Sequence, residues 1–358
     1  MPLELIGWVA HQIESELIGR RDAAFDIEAI NTTARIHEEA GFDTALVGYF
    51  SDAPDGFMVT AQAASVTSRL RYLIAHRPGF VAPTVAARKF ASLDHLTGGR
   101  AAVHFIAGAS AAEQAMDGDY VDHDGRYSRM GEYIDLMNLT WTQNEPFDFD
   151  GAFYRVEAAH SRIPCLQSPR IPLFGGGGSP ASIAVLAPRV DVFMLWGEPL
   201  ADCAAFMDRV RAATGDQRTS PISFSVSTRP ILGATEDEAW KRAHGILERV
   251  QHWNHGAPGA TPENAGSRRL IEAAEAGELH DTCLWTPLAT ATGAHGNTTA
   301  LVGTPETVAN ALLEYYKLGA TRLLIRGWDP LPDAQDYGRE LIPRLRELVA
   351  EHDRETSS

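Results

Sequence analysis

Leu173-Phe174-Gly175-Gly176-Gly177-Gly178-Ser179-Pro180 is the stretch on which the fold turns. The apolar run from Ile171 to Phe174 ends in four consecutive glycines; Ser179 then offers a capping side chain, and Pro180 stands where a helix would begin. Ser at the cap and Pro at the first helical position are both favoured at helix starts. The stretch predicts a strand, a loop without Cβ atoms and a helix. Such a loop lets backbone N–H groups close on an anion, and the helix dipole favours negative charge there. A phosphate, most simply the tail of a cofactor, is the ligand this points to; a flexible surface loop is the bland alternative.

The same strand-then-helix rhythm runs outward in both directions. Apolar runs at Leu5–Val9, Thr44–Val47, Tyr72–Ala75 and Ala101–Ile106 precede the glycines, and Val190–Leu195, Ile222–Val226 and Arg322–Ile325 follow them. Helical patterns separate them: one capped by Asp26, others over 58–68, 83–96 and 127–141, one opened by Thr304-Pro305, and a last one over 334–349 expected to kink at Pro343. A small β excursion is expected over Phe147–Val156, turning at Asp150-Gly151. Eight strands alternating with helices predict a parallel sheet, either a closed (β/α)8 TIM barrel or an open doubly wound sheet. The count of eight and the length of 358 residues favour the barrel with insertions, as one domain over 1–358. Residues 252–299 lack a clear strand–helix unit and follow strand seven. They are expected to be an insertion that folds over the barrel mouth as a mobile lid.

Composition narrows the partners. A net charge of −16 argues against nucleic acid and anionic membranes, and requires local basic residues for any anionic substrate. Cys165, Cys203 and Cys283 are far apart and form no metal or CxxC pattern, so a reducing cytoplasmic setting and no metal are expected. No apolar run approaches a membrane span, and Met1-Pro2-Leu3-Glu4 does not open a signal peptide.

Several ordered motifs then resemble one family. Pro83-Thr84-Val85-Ala86-Ala87-Arg88 with Leu93-Asp94-His95-Leu96-Thr97-Gly98-Gly99-Arg100 is similar to the signature of bacterial-luciferase-like flavin monooxygenases. His123-Asp124-Gly125-Arg126-Tyr127, Leu195-Trp196-Gly197-Glu198-Pro199 and Thr299-Ala300-Leu301-Val302-Gly303-Thr304-Pro305 resemble the alkanesulfonate monooxygenase branch. The resemblance extends from about His11 to the last helix. It implies a (β/α)8 barrel with an insertion after strand seven. It also implies a two-component reaction: a separate NAD(P)H:flavin reductase supplies reduced FMN (FMNH2), O2 adds to give a peroxyflavin, and a small organic substrate is oxygenated. In that branch an organosulfonate loses its carbon–sulfur bond. Family members are commonly homodimers or homotetramers.

The resemblance also implies roles. Ser179, Gly177 and Gly178 match the phosphate loop, and Arg126 and Tyr127 the phosphate-contacting pair. His104, within strand four, matches a position that contacts the flavin ring, and Glu113 another flavin-side position in the loop that follows. Trp196 is placed to wall the ring or the substrate, Tyr49 lies beside the ring edge, and His76 and Arg77 face either. His11 matches a histidine near the active site. Each has a plainer reading as core, rim or solvated loop.

Departures from the branch are equally specific. Its loop cysteine after strand two is absent from Phe50-Ser51-Asp52-Ala53-Pro54, its strand-seven arginine and histidine read Ser227 and Arg229, its lid arginine falls near Ala294-His295, and its tyrosine after strand eight is Trp328. Arg229 and His295 are expected to make a cationic pocket, which Trp328 makes more apolar. Flavin chemistry is therefore firmer than the sulfonate. A carbonyl or specialised-metabolite substrate, a deazaflavin (F420)-dependent oxidoreductase and a non-catalytic flavin-binding barrel stay open; a sugar-phosphate enzyme lacks a lysine at a strand end.

Overall fold

Along the first four strands one set of apolar residues, including Leu5, Val47, Tyr72, Ile74 and Val103, packs against helices, while the alternating set, Ile6, Trp8, Leu46, Leu73 and Ala102, joins Phe174, Val192, Met194 and Leu324 in a separate cluster. Successive side chains of a strand point to opposite faces. A sheet with both faces apolar and one face turned onto itself is a closed barrel. The computed structural model describes residues 3–19, 25–108, 110–215, 220–253 and 264–356 of the chain.

In chain order the elements are β1 (Glu4–Val9), α1 (Ile27–Glu39), β2 (Thr44–Val47), α2 (Gly56–Ser65), β3 (Arg71–His76), α3 (Pro83–Thr97), β4 (Ala101–Phe105), α4 (Ala111–Met116), α5 (His123–Thr142), β5 (Phe147–Asp150) and β6 (Arg155–Ala159). There follow β7 (Leu173–Gly176), α6 (Pro180–Leu186), β8 (Val192–Trp196), α7 (Leu200–Ala212), β9 (Ser223–Leu232), α8 (Glu236–Trp253) and α9 (Ala265–Ala276). The chain ends with β10 (Leu279–His280), β11 (Leu284–Trp285), α10 (Pro287–Thr292), β12 (Ala300–Gly303), α11 (Pro305–Lys317), β13 (Arg322–Ile325), α12 (Pro330–Asp336), a π-helical turn (Tyr337–Leu341) and α13 (Ile342–Thr356).

Strands β1, β2, β3, β4, β7, β8, β9 and β13 pair in parallel, and the β13–β1, β8–β9 and β9–β13 ladders close the barrel. The expected (β/α)8 barrel is thus the fold. Its N-terminal end is plugged by the ion pair between Arg322 and Glu4 at 2.8 Å, with the Arg322 guanidinium 5.6 Å from the Phe174 ring. Asp26, Ser179 and Thr304 cap α1, α6 and α11 as their sequences predict. The described helices include none long and apolar enough to cross a membrane.

Five local expectations need correction. Strand seven does not stop at Val226: β9 runs on to Leu232, because its second half leaves the barrel and pairs with β12, Ala300 opposite Arg229. The insertion carries the helix expected near Ser267–Ala276 as α9, but also unexpected strands: β12, β11 and β10 extend the sheet from β9, with α9 and α10 beside them, while residues 254–263 of the expected lid lie outside the described residues. Glu113 sits in α4, not in a loop, and α5 begins four residues earlier than expected, so Arg126 and Tyr127 belong to its first turns. Pro343 does not kink a continuous helix. It cannot donate to the carbonyl four residues back, and the chain takes a π-helical turn just before it.

Candidate active site

The inward alternation continues to the C-terminal ends of the strands, the face on which such barrels carry their sites. Two residues beyond inward Ala102 comes His104, beyond Met194 comes Trp196, and beyond Leu324 comes Arg326. On β9, Phe224 and Val226 face the helices, so Ser225, Ser227 and Arg229 face inward. His104 is half-buried, but its Nδ1 is sealed off and has no partner among the described residues. Burial pulls the imidazole pKa down from 6.5 to about 4, so the ring is neutral near pH 7.

The glycine loop lies beyond β7, which itself continues through Gly175 and Gly176. Ser179 Oγ accepts the Ser182 N–H at 3.1 Å, and Ser182 Oγ donates to the Ser179 carbonyl at 2.6 Å. A Cβ on Gly177 would collide with the Tyr127 hydroxyl and the Ser182 side chain, and one on Gly178 with Nη1 of Arg269. Only glycine leaves this approach open. Tyr127 is buried with its hydroxyl beside Ser182; burial, the largest influence, raises its pKa to about 12. Arg126, also buried, donates from Nε to the Ala107 carbonyl at 2.9 Å and from Nη1 to the Val121 carbonyl at 2.7 Å. It therefore ties the loop after β4 to the start of α5, and is no solvated surface cation.

Helix α9 of the insertion lies across this loop. Arg269 Nη1 is 3.4 Å from the Gly178 carbonyl oxygen, and the guanidinium pairs with Glu198, in the loop after β8, at 2.7 Å. The Trp196 ring packs on Gly266 and joins Leu270, Ile271, Ala289 and Ala294 in a small apolar cluster.

Tyr49, Glu113 and Arg77 meet in a second group. Arg77 lies 4.5 Å over the Tyr49 ring, pairs with Glu113 at 2.6 Å, and donates to Ser51 Oγ at 3.0 Å. Ser51 donates on to Asp117 at 2.7 Å, and the Tyr49 hydroxyl to the same carboxylate at 3.1 Å. Burial first, then the Asp117 charge, raises the Tyr49 pKa to about 12. His76 faces away from the mouth, among Phe57, Phe90, Phe105 and Tyr133. His11 is buried just past β1, its Nε2 3.1 Å from Gln12 Nε2.

The third group is cationic. Arg229 is only 1% exposed; its guanidinium carbon lies 3.5 Å over the Trp328 ring, and Nη2 donates to the Gly327 carbonyl at 2.9 Å. Nη1 lies 2.7 Å from Glu16 Oε1, yet its N–H is not aligned for a hydrogen bond. Burial would raise the Glu16 pKa, but the charges of Arg229 and Arg326 outweigh it and hold the carboxyl at about 2. Trp328 is fully buried, on the α8 side as well as against Arg229. His295 is exposed in the turn after α10, so the residue that faces Arg229 is Glu16.

Arg326, Glu16 and Arg269 carry much of this geometry without having stood out in the sequence, and Glu198 stands there only as part of a motif, with no role. Arg326 had a legible signal, an arginine one residue past the last barrel strand; Glu16 and Arg269 lie in loop and insertion, where periodicity says nothing about contacts. Among the described residues no group of three or more His, Cys, Asp or Glu is placed to hold a metal ion, and the three cysteines are free thiols.

Residues 8–322 match the family model described as luciferase-like monooxygenase. Similar solved structures include riboflavin lyase RcaE with modified FMN and riboflavin, at 20% identity and TM-score 0.78, over 97% of this chain and 92% of that one. EDTA monooxygenase (EmoA) from Chelativorans sp. BNC1 matches at 18% identity and TM-score 0.75, over 97% and 94%. An F420-dependent secondary alcohol dehydrogenase with an F420–acetone adduct matches at 15% identity and TM-score 0.68, over 96% and 99%. At such identities these neighbours share the fold.

Proposed function

The chain belongs to the luciferase-like monooxygenase family, and from that membership we propose a two-component monooxygenase that takes reduced FMN from a separate NAD(P)H:flavin reductase and oxygenates a small organic substrate with O2. One oxygen atom goes to the substrate and the other leaves as water, with the two electrons and two protons of FMNH2. Reduced flavin, when bound, supplies those electrons to O2. The observation that carries the reading is the glycine loop: without Cβ atoms at Gly177 and Gly178, the Tyr127 hydroxyl and the Arg269 guanidinium come right up to its backbone. In our reading the Gly177–Ser179 loop, Tyr127 and Arg126 bind the phosphate tail. The half-buried His104 orients the ring from β4, Tyr49 and Glu113 line its edge, and Trp196 and the insertion exclude water.

The substrate is read from the cationic group. Arg229, stacked on Trp328, favours a substrate with an anionic group; His295, exposed in its turn, is left outside this group, and an organosulfonate cleaved at its C–S bond and an oxygenated carbonyl compound both qualify. In the same reading the protein works in the cytoplasm as a homodimer or homotetramer. Since a neighbour of the same fold carries F420, a hydride-transferring deazaflavin enzyme is the second reading. Anaerobic titration with reduced FMN and with reduced F420 tests the cofactor: tight binding of FMN alone supports the monooxygenase, and of F420 alone overturns it. A reductase-coupled screen of sulfonates, sulfones and ketones for O2-dependent loss, with sulfite assayed, then identifies the reaction.

A further inference from the structure

We propose that Arg229 and Arg326 form the docking site for a carboxylate-type group on the substrate, and that Glu16 is the pocket's own counter-ion, displaced when that group binds. The assignment rests on the monooxygenase reading above and names its substrate class.

Four buried N–H donors on three neighbouring side chains have no aligned hydrogen-bond acceptor among the described residues: Nε and Nη1 of Arg229, Nε of Arg326, and Nε1 of Trp328. Buried donors are nearly always satisfied, so an orphaned set in one place marks a missing acceptor. The strands explain the convergence. Arg229 leaves β9 and Arg326 leaves β13, which are neighbours in the barrel, and β13 is also neighbour to β1, whose following loop delivers Glu16. Trp328 and Trp8 form flat walls, with Arg229 stacked at 3.5 Å on the first and Arg326 at 4.9 Å on the second. Stacking immobilises each guanidinium while leaving its N–H edge free to point at an oxyanion.

Glu16 fills this place poorly. Its Oε1 touches Arg229 off the hydrogen-bond direction, and its Oε2 is a buried acceptor with no donor. Arg326 is still short of counter-charge: burial first, then the Arg229 charge, draws its pKa down to about 10, against the partial compensation of Glu16 and the weaker Glu14. A second carboxylate, free to align, would meet donors that Glu16 leaves unused. Glu16 stands at the tip of a four-residue turn closed by two backbone hydrogen bonds between Ser15 and Ile18, both 3.1 Å, so its side chain can swing away without breaking a strand. A planar oxyanion of one charge matches the vacated place in shape and sign.

The test is chemical rescue with acetate as the probe. Glu16→Gln and Glu16→Ala are melted in acetate and in chloride at equal ionic strength, on the order of 100 mM so that a weak ligand reaches its site. We expect both variants to melt below wild type in chloride, acetate to restore most of that loss, and added Arg326→Gln to abolish the rescue. Equal midpoints in the two salts for both variants overturn the proposal. If neither variant folds in chloride, refolding yield in acetate against chloride replaces the midpoint, and equal yields overturn it likewise. Reduced-FMN titration of wild type separates the two readings. FMN binding without acetate rescue sinks the anion pocket alone; rescue without binding of either flavin leaves the pocket and sinks the monooxygenase.

Discussion

Arg269 and Glu198, 71 residues apart in the chain, join the insertion to the barrel: Nε and Nη2 of the arginine donate to the carboxylate at 2.7 to 3.0 Å, while Nη1 reaches the Gly178 carbonyl at 3.4 Å. The guanidinium also lies 4.5 Å over the Phe206 ring. One side chain thus holds α9, the loop after β8 and the glycine loop in a single arrangement.

Arg269→Ala should therefore leave the Glu198 carboxylate buried and unpaired. Breaking a buried pair from one side costs about 3–5 kcal/mol; Arg269 is 22% exposed, so the lower end is expected. Urea unfolding of the two single variants and Arg269→Ala/Glu198→Gln measures it, with the double variant more stable than Arg269→Ala alone. Equal stability of the double variant and Arg269→Ala would show that the carboxylate was never dependent on its partner.

Ser179→Ala should weaken reduced FMN binding by about 1–3 kcal/mol, the range for a hydrogen bond to a charged group. It should also cost about 1 kcal/mol of stability as a lost helix cap. Gly177→Ala should remove FMN binding more completely, because the added methyl meets the Tyr127 hydroxyl and Ser182. Riboflavin, which lacks the phosphate, is the control: both variants should lose FMN affinity while riboflavin affinity changes little. If the two ligands weaken in parallel, the loop does not hold a phosphate. Arg126→Ala should act in two ways, since Nε and Nη1 already serve the Ala107 and Val121 carbonyls: loss of order in the loop after β4 should come on top of a weaker hold on the phosphate.

The barrel was legible because strands buried on both faces leave apolar runs, and because Asp26, Ser179 and Thr304 announce helix starts by chemistry that acts over three residues. The glycine run carried its own meaning, since close approach excludes Cβ locally. What stayed hidden was long-range. β9 continues past Thr228 only because β12, some seventy residues on, supplies a partner. Likewise, the counter-ion of Arg229 is Glu16, from the far end of the chain, and the neighbour of the glycine loop is Arg269 from the insertion. Residue types advertise what they can bond; only topology decides with whom.

Stability should fall as the solution is acidified below about pH 6.5, through histidines held neutral by the fold. His37 donates from Nδ1 to the Thr33 carbonyl at 2.8 Å and accepts the Trp8 N–H at Nε2, 3.3 Å away, so protonation would remove the acceptor. Burial lowers its pKa from 6.5 to about 4, and burial lowers that of His76 to about 3. Below the unfolded value the unfolded chain binds protons that the native chain refuses. Stability is thus complete above about pH 6.5 and declines as pH drops towards the folded values, by about 1.4 kcal/mol per pH unit for each such histidine. His76→Phe, which suits the ring cluster of Phe57, Phe90 and Phe105, should lower the slope of urea-derived stability against pH by about that amount. An unchanged slope would mean that His76 titrates alike in both states.

The network around Arg77 should show strong, asymmetric coupling. Arg77, 4% exposed, serves Glu113 at 2.6 Å and Asp117 at 3.8 Å, donates to Ser51 Oγ, and covers the Tyr49 ring. Removing it leaves two carboxylates facing one another without a cation, at a cost of about 3–5 kcal/mol. Glu113→Ala leaves Arg77 with Asp117 and with Ser51; Glu113 is itself 25% exposed, so about 1–2 kcal/mol is expected. Arg77→Ala/Glu113→Ala should then be no less stable than Arg77→Ala alone, because the second change removes a repulsion that the first created. A double-mutant cycle by urea unfolding reads this coupling directly. Simple additivity would show that the loops after β2, β3 and β4 are held by packing of Tyr49 and Phe80, with the charges as bystanders.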